Sequence, residues 1–369
     1  MTDVLIVGGG VIGLLLAKDL VQRDLSVRVV DKGEMGTEAS WAGGGIVSPL
    51  YPWNYSTPIT ALASWAQTAY PALATELLEA TGIDPQFNPC GMLMLDPPDR
   101  DSIVSWADSN EKPFKLLSHS SAITQEPAVQ MAFGEAVWWP QIGNIRNPRL
   151  LQSLTAFLQA HSLCSLEAHT TVQSFVSLDQ GRVGVKTTDK MLEADQVVVC
   201  AGAWAGDLLA GIGVSSQISP VKGQMIVFEP KPDLIRSIIL HEGRYLIPRL
   251  DGRIVVGSTL EHSGFDKSTS EEARLSLLDK AYQLVPALQD VAVEAHWAGL
   301  RPGAPHGIPY IGKVPGWDNL YVNAGHFRNG LVLAPASVRL MTNILLNQAP
   351  IVDPLPYQLE CPRPSADMF

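Results

Sequence analysis

Charge is scarce in this chain, and cysteine scarcer. Only 17% of the 369 residues are charged against 46% hydrophobic, which excludes a disordered chain and leaves a globular protein with ample core. At about 150 residues per domain the length predicts two or three lobes. The four cysteines, Cys90, Cys164, Cys200 and Cys361, form no CxxC pair, and none lies at a metal-ligand spacing from a histidine. That excludes a disulfide scaffold, and it predicts no bound metal, reduced thiols and a cytoplasmic setting. Positive charge is in deficit, with 26 Lys and Arg against 37 Asp and Glu, a net charge of −11. An acidic surface repels phosphate backbones, so no nucleic-acid partner is expected. HExxH, GxSxG and Cys–His arrangements are all missing, which removes zinc-protease, nucleophile-elbow and thiol chemistry.

The N-terminus lacks a basic region and a small-residue cleavage site: Met1-Thr2-Asp3 runs straight into Val4-Leu5-Ile6-Val7, so no targeting signal is expected. One uncharged run, between Glu38 and Glu76, is long enough to span a bilayer. Pro49, Pro52, Pro58, Pro71 and Gly43-Gly44-Gly45 interrupt any continuous helix there, and lipid does not tolerate exposed irregular backbone. The expected structure is a buried loop followed by a core helix, with Trp41, Trp53, Tyr55, Trp65 and Tyr70 in the core. A membrane- or partner-touching surface is the alternative.

What is present begins with a βαβ pattern. Val4–Val7 is an apolar run fit for a strand buried on both faces. Residues 11–23 have helical length and an apolar face, and residues 26–30 form a second apolar strand ending at Asp31. Asn147-Pro148 predicts a helix start, with Asn as cap, running to about His161. Residues 196–204 read as a strand ending in a glycine turn, and 223–228, 245–249 and 253–258 as three further strands. Asp251-Gly252 predicts a two-residue hairpin between the last two. Near the C-terminus a strand at 320–323, a loop at 325–330 and a helix including 335–346 repeat the strand–glycine–helix logic.

These elements predict an α/β fold: a discontinuous, doubly wound, Rossmann-like domain at 1–85, 146–219 and 296–369, and a second α+β domain with a mostly antiparallel sheet at 86–145 and 220–295. Gly8-Gly9-Gly10-Val11-Ile12-Gly13 fits GxGxxG. Gly8 permits the turn, Gly10 the approach of a pyrophosphate to the helix N-terminus, and Gly13 close strand–helix packing. Asp31 stands about 20 residues on, where a carboxylate binds a ribose diol. The bland reading of Asp31 is a solvated residue after a strand. The motif alone does not separate FAD from NAD. The loop Gly325-His326-Phe327-Arg328-Asn329-Gly330-Leu331 opens a helix that can aim N–H groups at the N1–C2=O edge of a flavin. A plain helix-capping loop is the alternative.

At these residues the chain resembles the glycine oxidases, especially the bacterial thiamine-pathway type, of the D-amino-acid oxidase family of FAD-dependent oxidoreductases. The resemblance spans nearly the whole chain. It is carried by residues 7–13, Ala39-Ser40-Trp41-Ala42-Gly43-Gly44-Gly45, Pro220-Val221-Lys222-Gly223-Gln224, Trp297-Ala298-Gly299-Leu300-Arg301-Pro302-Gly303 and the 325–330 loop, of which the last two are the most specific. It implies non-covalent FAD, and oxidative deamination of glycine and small amines to the oxo acid, ammonia and hydrogen peroxide, with a small amine and oxygen as partners and a homo-oligomeric state. By the family's motifs Arg301 binds the substrate carboxylate, Tyr245 offers its hydroxyl to the same group, and Arg328 lies near substrate and flavin. The expected cofactor contacts are Gly8, Gly10, Ile12, Gly13, Asp31, Lys32, Ser40, Gly44, Gly45, Ile46, Val172, His326, Phe327, Arg328, Asn329, Gly330, Leu331 and Val332. Leu260 falls where the family pattern can carry Met, and Gly43–Gly45 replaces an alanine-rich loop of some relatives. The sarcosine-oxidase relatives attach flavin through a C-terminal cysteine, but no Cys occurs between Cys200 and Cys361.

The residues themselves fit this chemistry. A neutral amine whose lone pair supports the forming iminium needs no strong protein base, leaving positioning and electrostatics to the protein. Arg301 offers a planar, permanently charged fork for a carboxylate; an ion pair with a surface acid is the alternative. Tyr245 suits core packing equally well, Arg328 a capping contact, and His326 packing or a backbone hydrogen bond more than proton transfer. The rival functions are a D-amino-acid or sarcosine oxidase or dehydrogenase of the same family, and a non-catalytic flavin-binding module of a larger assembly.

Overall fold

The computed structural model describes residues 2–363; Met1 and residues 364–369 of the expected first domain lie outside them. Six strands form the first sheet, in the order Tyr310–Lys313, Leu320–Ala324, Gln196–Val199, Val4–Val7, Val27–Val30 and Cys164–Glu167. All neighbours are parallel except the edge pair Tyr310–Lys313 and Leu320–Ala324. Val4–Val7 shows why a continuous apolar run is needed here. Val4 and Ile6 join a helical core built with Val11–Val21, Thr57–Thr81, Asn147–Gln159 and Gly330–Leu345. Leu5 and Val7 point the other way, into a core shared with Phe175, Val185 and Leu192 of the three-stranded sheet Val172–Ser177, Val183–Thr187 and Met191–Ala194. Alternating side chains thus bury both faces of one strand.

The second sheet has eight strands in the order Val293–Gly303, Ser219–Phe228, Ile254–Gly257, Arg244–Pro248, Ile238–His241, Met92–Leu95, Glu135–Trp139 and Lys115–Ser118. It is antiparallel except where Ile238–His241 meets Met92–Leu95. Helix Glu271–Leu284 covers one face through Leu277, Ala281 and Leu284. The Ser270 side chain caps it by accepting from Ala273 N, and Glu271 and Glu272 suit its positive end. Strands Ser219–Phe228 and Val293–Gly303 run through the expected boundaries at 219/220 and 295/296.

Several local expectations shift. Arg146, not Asn147, occupies the N-cap of the Asn147–Gln159 helix, and the Asn147 amide instead donates to Ser40 O at 2.7 Å. The hairpin loop has three residues, Leu250-Asp251-Gly252. Arg249 N donates to Arg253 O, Gly252 N donates to Arg249 O, and Gly252 takes φ +86°, the three-residue turn-plus-bulge geometry rather than the two-residue one. The last helix, Gly330–Leu345, contains the expected stretch with Pro335 inside it, whereas Pro71, expected to interrupt a helix, sits inside Thr57–Thr81. Tertiary packing overrides proline there: Tyr70 is fully buried and its hydroxyl donates to Leu331 O, tying the two helices together. Trp41 is 42% exposed, stacked edge-on against Trp297, and is not core. Among the described residues no helix is long and apolar enough to cross a membrane.

Candidate active site

A cavity of about 590 Å³ runs between the two large sheets. One end lies at the C-terminal ends of Val4–Val7 and Gln196–Val199, the crevice where open α/β sheets bind ligands. Gly8 stands there at φ +115°, and a β-carbon on it would lie 2.4 Å from Cys200 O. The start of the Val11–Val21 helix faces the cavity beside Gly10, with Val11 N donating to Ser40 Oγ at 2.9 Å. Asp31 lines the same end. Its Oδ2 accepts from Gly9 N at 2.7 Å and its Oδ1 from Gly33 N at 2.8 Å. Burial raises its pKa, opposed by these two donors. Each oxygen keeps a second acceptor site for a diol. Lys32 packs its ammonium over the Trp204 ring, 3.3 Å from the centroid, and Trp204 stacks on Phe265.

The other end is formed by the second sheet and the 325–331 loop. Gly325 takes φ +88° and Phe327 φ +50°, a sharp turn that sets Gly330 and Leu331, the first helical residues, against the cavity. The positive end of a 16-residue helix therefore faces it. Arg301 projects from Val293–Gly303. Its Nη2 donates to Ser258 Oγ at 2.7 Å and its Nη1 to Thr259 O at 3.2 Å. No carboxylate pairs with it among the described residues. Burial depresses its pKa, Arg328 adds to this, and Tyr245 opposes it. Tyr245 is buried in Arg244–Pro248, its ring against Gly44 and Gly257. Arg328 is exposed at the rim.

The structure brings nearly all the expected residues to this one cavity: Gly8, Gly10, Ile12, Asp31, Lys32, Ser40, Gly44, Gly45, Ile46, Val172, Tyr245, Arg301 and His326 through Leu331. Two stand apart. Gly13 lies behind the wall, where a β-carbon would meet Gly8 O at 1.9 Å, so its part is strand–helix packing. Val332 is buried in the helical core and does not line the cavity; one step along the helix from Leu331 turns the side chain away. His326 lines the wall, but its Nε2 lies 3.1 Å from Ser337 Oγ of the helix that follows, and burial pushes its pKa down to about 3. Leu260, noted for its departure from Met, is also at the wall. Sequence reasoning missed Thr170, Thr171, Trp204, Met225 and Ser258. The position of Trp204, just after a parallel strand, was the one available signal.

This architecture is that of a flavin-dependent oxidoreductase, and the chain belongs to the DAO family: the family profile described as "FAD dependent oxidoreductase" matches residues 3–344. It is 50% identical to the "Glycine oxidase" of Pseudomonas putida over 359 residues, 97% of this chain and 98% of that protein. It is 32% identical to the "Bifunctional protein ThiO/ThiG" of Synechocystis sp., covering 94% of this chain and 52% of that protein. The crystal structure of glycine oxidase from Geobacillus kaustophilus superposes with a TM-score of 0.92 at 31% identity, covering 97% of this chain and 98% of the other. The cofactor is FAD, and the cavity suits it. Glycines that leave no room for a β-carbon bring bare backbone to the wall at Gly8 and Gly45, and two helix N-termini face the space between.

Proposed function

We propose that this enzyme oxidises glycine and other small amines, taking glycine, oxygen and water to glyoxylate, ammonia and hydrogen peroxide. The observation that carries the reading is Arg301, a half-buried guanidinium on the cavity wall, anchored by neutral oxygens and left without an acid partner among the described residues. A desolvated cation of this kind is completed by a ligand carboxylate. Tyr245 lies beside it, close enough to favour its charge, and offers a hydroxyl to the same carboxylate. Arg328 shields the opening and adds positive potential. FAD, held non-covalently by Gly8, Gly10, Asp31 and the loop at 326–331, would supply the two-electron acceptor for a reaction that ends in peroxide. The N-terminus of the Gly330–Leu345 helix stabilises negative charge at that end of the cavity.

The protein's part is positioning. At the Arg301 end the lining acid is Glu242, which is ion-paired to Lys280 at 2.7 Å, and His326 is turned to Ser337. Both are engaged elsewhere, and the amine enters the reaction neutral. Service to thiamine biosynthesis belongs to the same reading, supported by the ThiO/ThiG likeness, as do a cytoplasmic setting and a homo-oligomer, supported by the overall resemblance. We assign the first sheet and its helices to FAD and the second sheet to the substrate. The test is an anaerobic flavin spectrum titrated with glycine, sarcosine and D-alanine, followed by oxygen. Bleaching by glycine and one peroxide per turnover are expected. Bleaching without peroxide indicates a dehydrogenase, and no bleaching by any amine leaves the binding-module rival.

A further inference from the structure

The substrate end of the cavity holds more positive charge than one amino-acid carboxylate requires. Three arginines line it, Arg244, Arg301 and Arg328, and none has a carboxylate partner among the described residues. This happens in a chain with 37 acidic residues against 26 basic ones, where eight of the twelve other arginines find acids among the described residues. Arg301 and Arg328 have parts in the proposed glycine reaction; Arg244 has none. It stands at the start of strand Arg244–Pro248, half-buried, and donates through Nη1 to Ser258 O. Arg301 donates to the hydroxyl of the same serine. One residue therefore holds two guanidiniums, one through its carbonyl and one through its side chain, and both face the same space. Glu242 is the acid at this rim, and Lys280 already occupies it at 2.7 Å.

We infer that Arg244 is a specificity-determining residue that receives a second carboxylate, so that this enzyme accepts acidic amines bearing two carboxylates: one on Arg301, the other on Arg244. The inference rests on the proposed placing of the first carboxylate at Arg301. The second carboxylate sits either on an arm of the nitrogen, as in iminodiacetate, or on an arm of the carbon, as in D-aspartate. The chemistry is that of glycine. The Cα–H and N–H bonds give up two electrons and two protons, which reduce oxygen to hydrogen peroxide, and water hydrolyses the resulting C=N bond. Iminodiacetate, oxygen and water yield glyoxylate, glycine and peroxide; D-aspartate yields oxaloacetate, ammonia and peroxide.

The test uses the FAD-loaded enzyme and matched pairs that differ by the second carboxylate. Half-saturation for anaerobic flavin reduction is measured for iminodiacetate against sarcosine and D-aspartate against D-alanine. Binding without turnover is read from the flavin spectrum with the amine-free counterparts, diglycolate against methoxyacetate and succinate against propionate. In one of the two series the diacid should bind about tenfold tighter, as for a rim-to-buried charge pair, and that series identifies the arm. Arg244→Gln, which can still donate to the Ser258 carbonyl, should abolish the gain while leaving the monoacid within about twofold; Arg244→Lys should keep part of it. The inference is overturned if neither diacid gains in the wild type, or if Arg244→Gln weakens monoacid and diacid alike, which would make Arg244 a support for Ser258. Failure of glycine to reduce the flavin would strike the proposed function instead, since the amine-free pairs still report on Arg244.

Discussion

Gly223 makes room for Arg301. A β-carbon at Gly223 would lie 2.1 Å from Arg301 Nη1 and 2.3 Å from Nη2, in adjacent strands where Val221 pairs with Arg301 and Gly223 with Gly299. The guanidinium therefore lies flat across a bare stretch of backbone, and its donors reach Ser258 and Thr259.

Gly223→Ala should push the fork out of this bed without emptying the core, because the clash is with the mobile end of a side chain. The expected outcome is a folded, yellow protein whose half-saturation for glycine rises by about tenfold or more, a 1.4 kcal/mol effect. Anaerobic titration checks it, and an unchanged glycine affinity would separate Gly223 from the site.

Among the described residues at the Arg301 end, Glu242 is paired to Lys280 and His326 to Ser337, and this sets the pH dependence of the chemical step. If the neutral amine reacts, the flavin-reduction rate constant should rise with pH toward the amine's own pKa, and substrates with lower amine pKa should reach their plateau earlier. Stopped-flow reduction across that range with glycine and a less basic amine checks it. A flat profile, or one whose midpoint ignores the substrate, contradicts the scheme.

His326 should cost the enzyme stability in acid. Its folded pKa is pushed down to about 3 by burial, whereas an unfolded histidine titrates near ~6.5. Below the unfolded value the unfolded chain takes a proton that the folded one refuses, so stability falls as pH drops from about 6.5 to about 3, by about 1.4 kcal/mol per unit. Between pH 7.5 and 5 this group should account for about 2 kcal/mol. His326→Asn should remove that slope, so the wild-type advantage over the variant should shrink by this amount in denaturant titrations at the two pH values. An identical pH dependence in both proteins would show that His326 protonates in place.

Much of the site was legible because its signals are local or repeat a spacing. The glycines at 8, 10 and 13, the strand before them and Asp31 sit within one βαβ unit, and each glycine's place follows from a steric demand that the structure shows directly. Arg301 and the 325–330 loop were legible through motif. What was not legible is what comes together only in space. Ser258 and Thr259, just after the strand Ile254–Gly257, hold Arg301 from more than forty residues away, Gly223 reads in sequence as an ordinary strand start, and Arg244 was visible only as a neighbour of Tyr245. Pro71 misled because sequence counts the lost N–H, whereas the contact between Tyr70 and Leu331 shows the packing that compensates for it. Asn147 looked like a cap because its type suits one; its amide is instead engaged by Ser40 across the cavity wall.

The central claim is that Arg301 binds the substrate carboxylate, and anaerobic flavin reduction by glycine and by a neutral small amine, compared between wild type and Arg301→Ala, tests it most directly. The variant should keep its fold and its FAD. Its affinity for glycine should drop by about 2–5 kcal/mol, the range for removing one partner of a buried charge pair, with Arg301→Lys recovering only part because an ammonium lacks the planar fork. The neutral amine should be nearly unaffected. Equal losses for both amines would make Arg301 a structural residue, and an unchanged glycine affinity would remove it from the site.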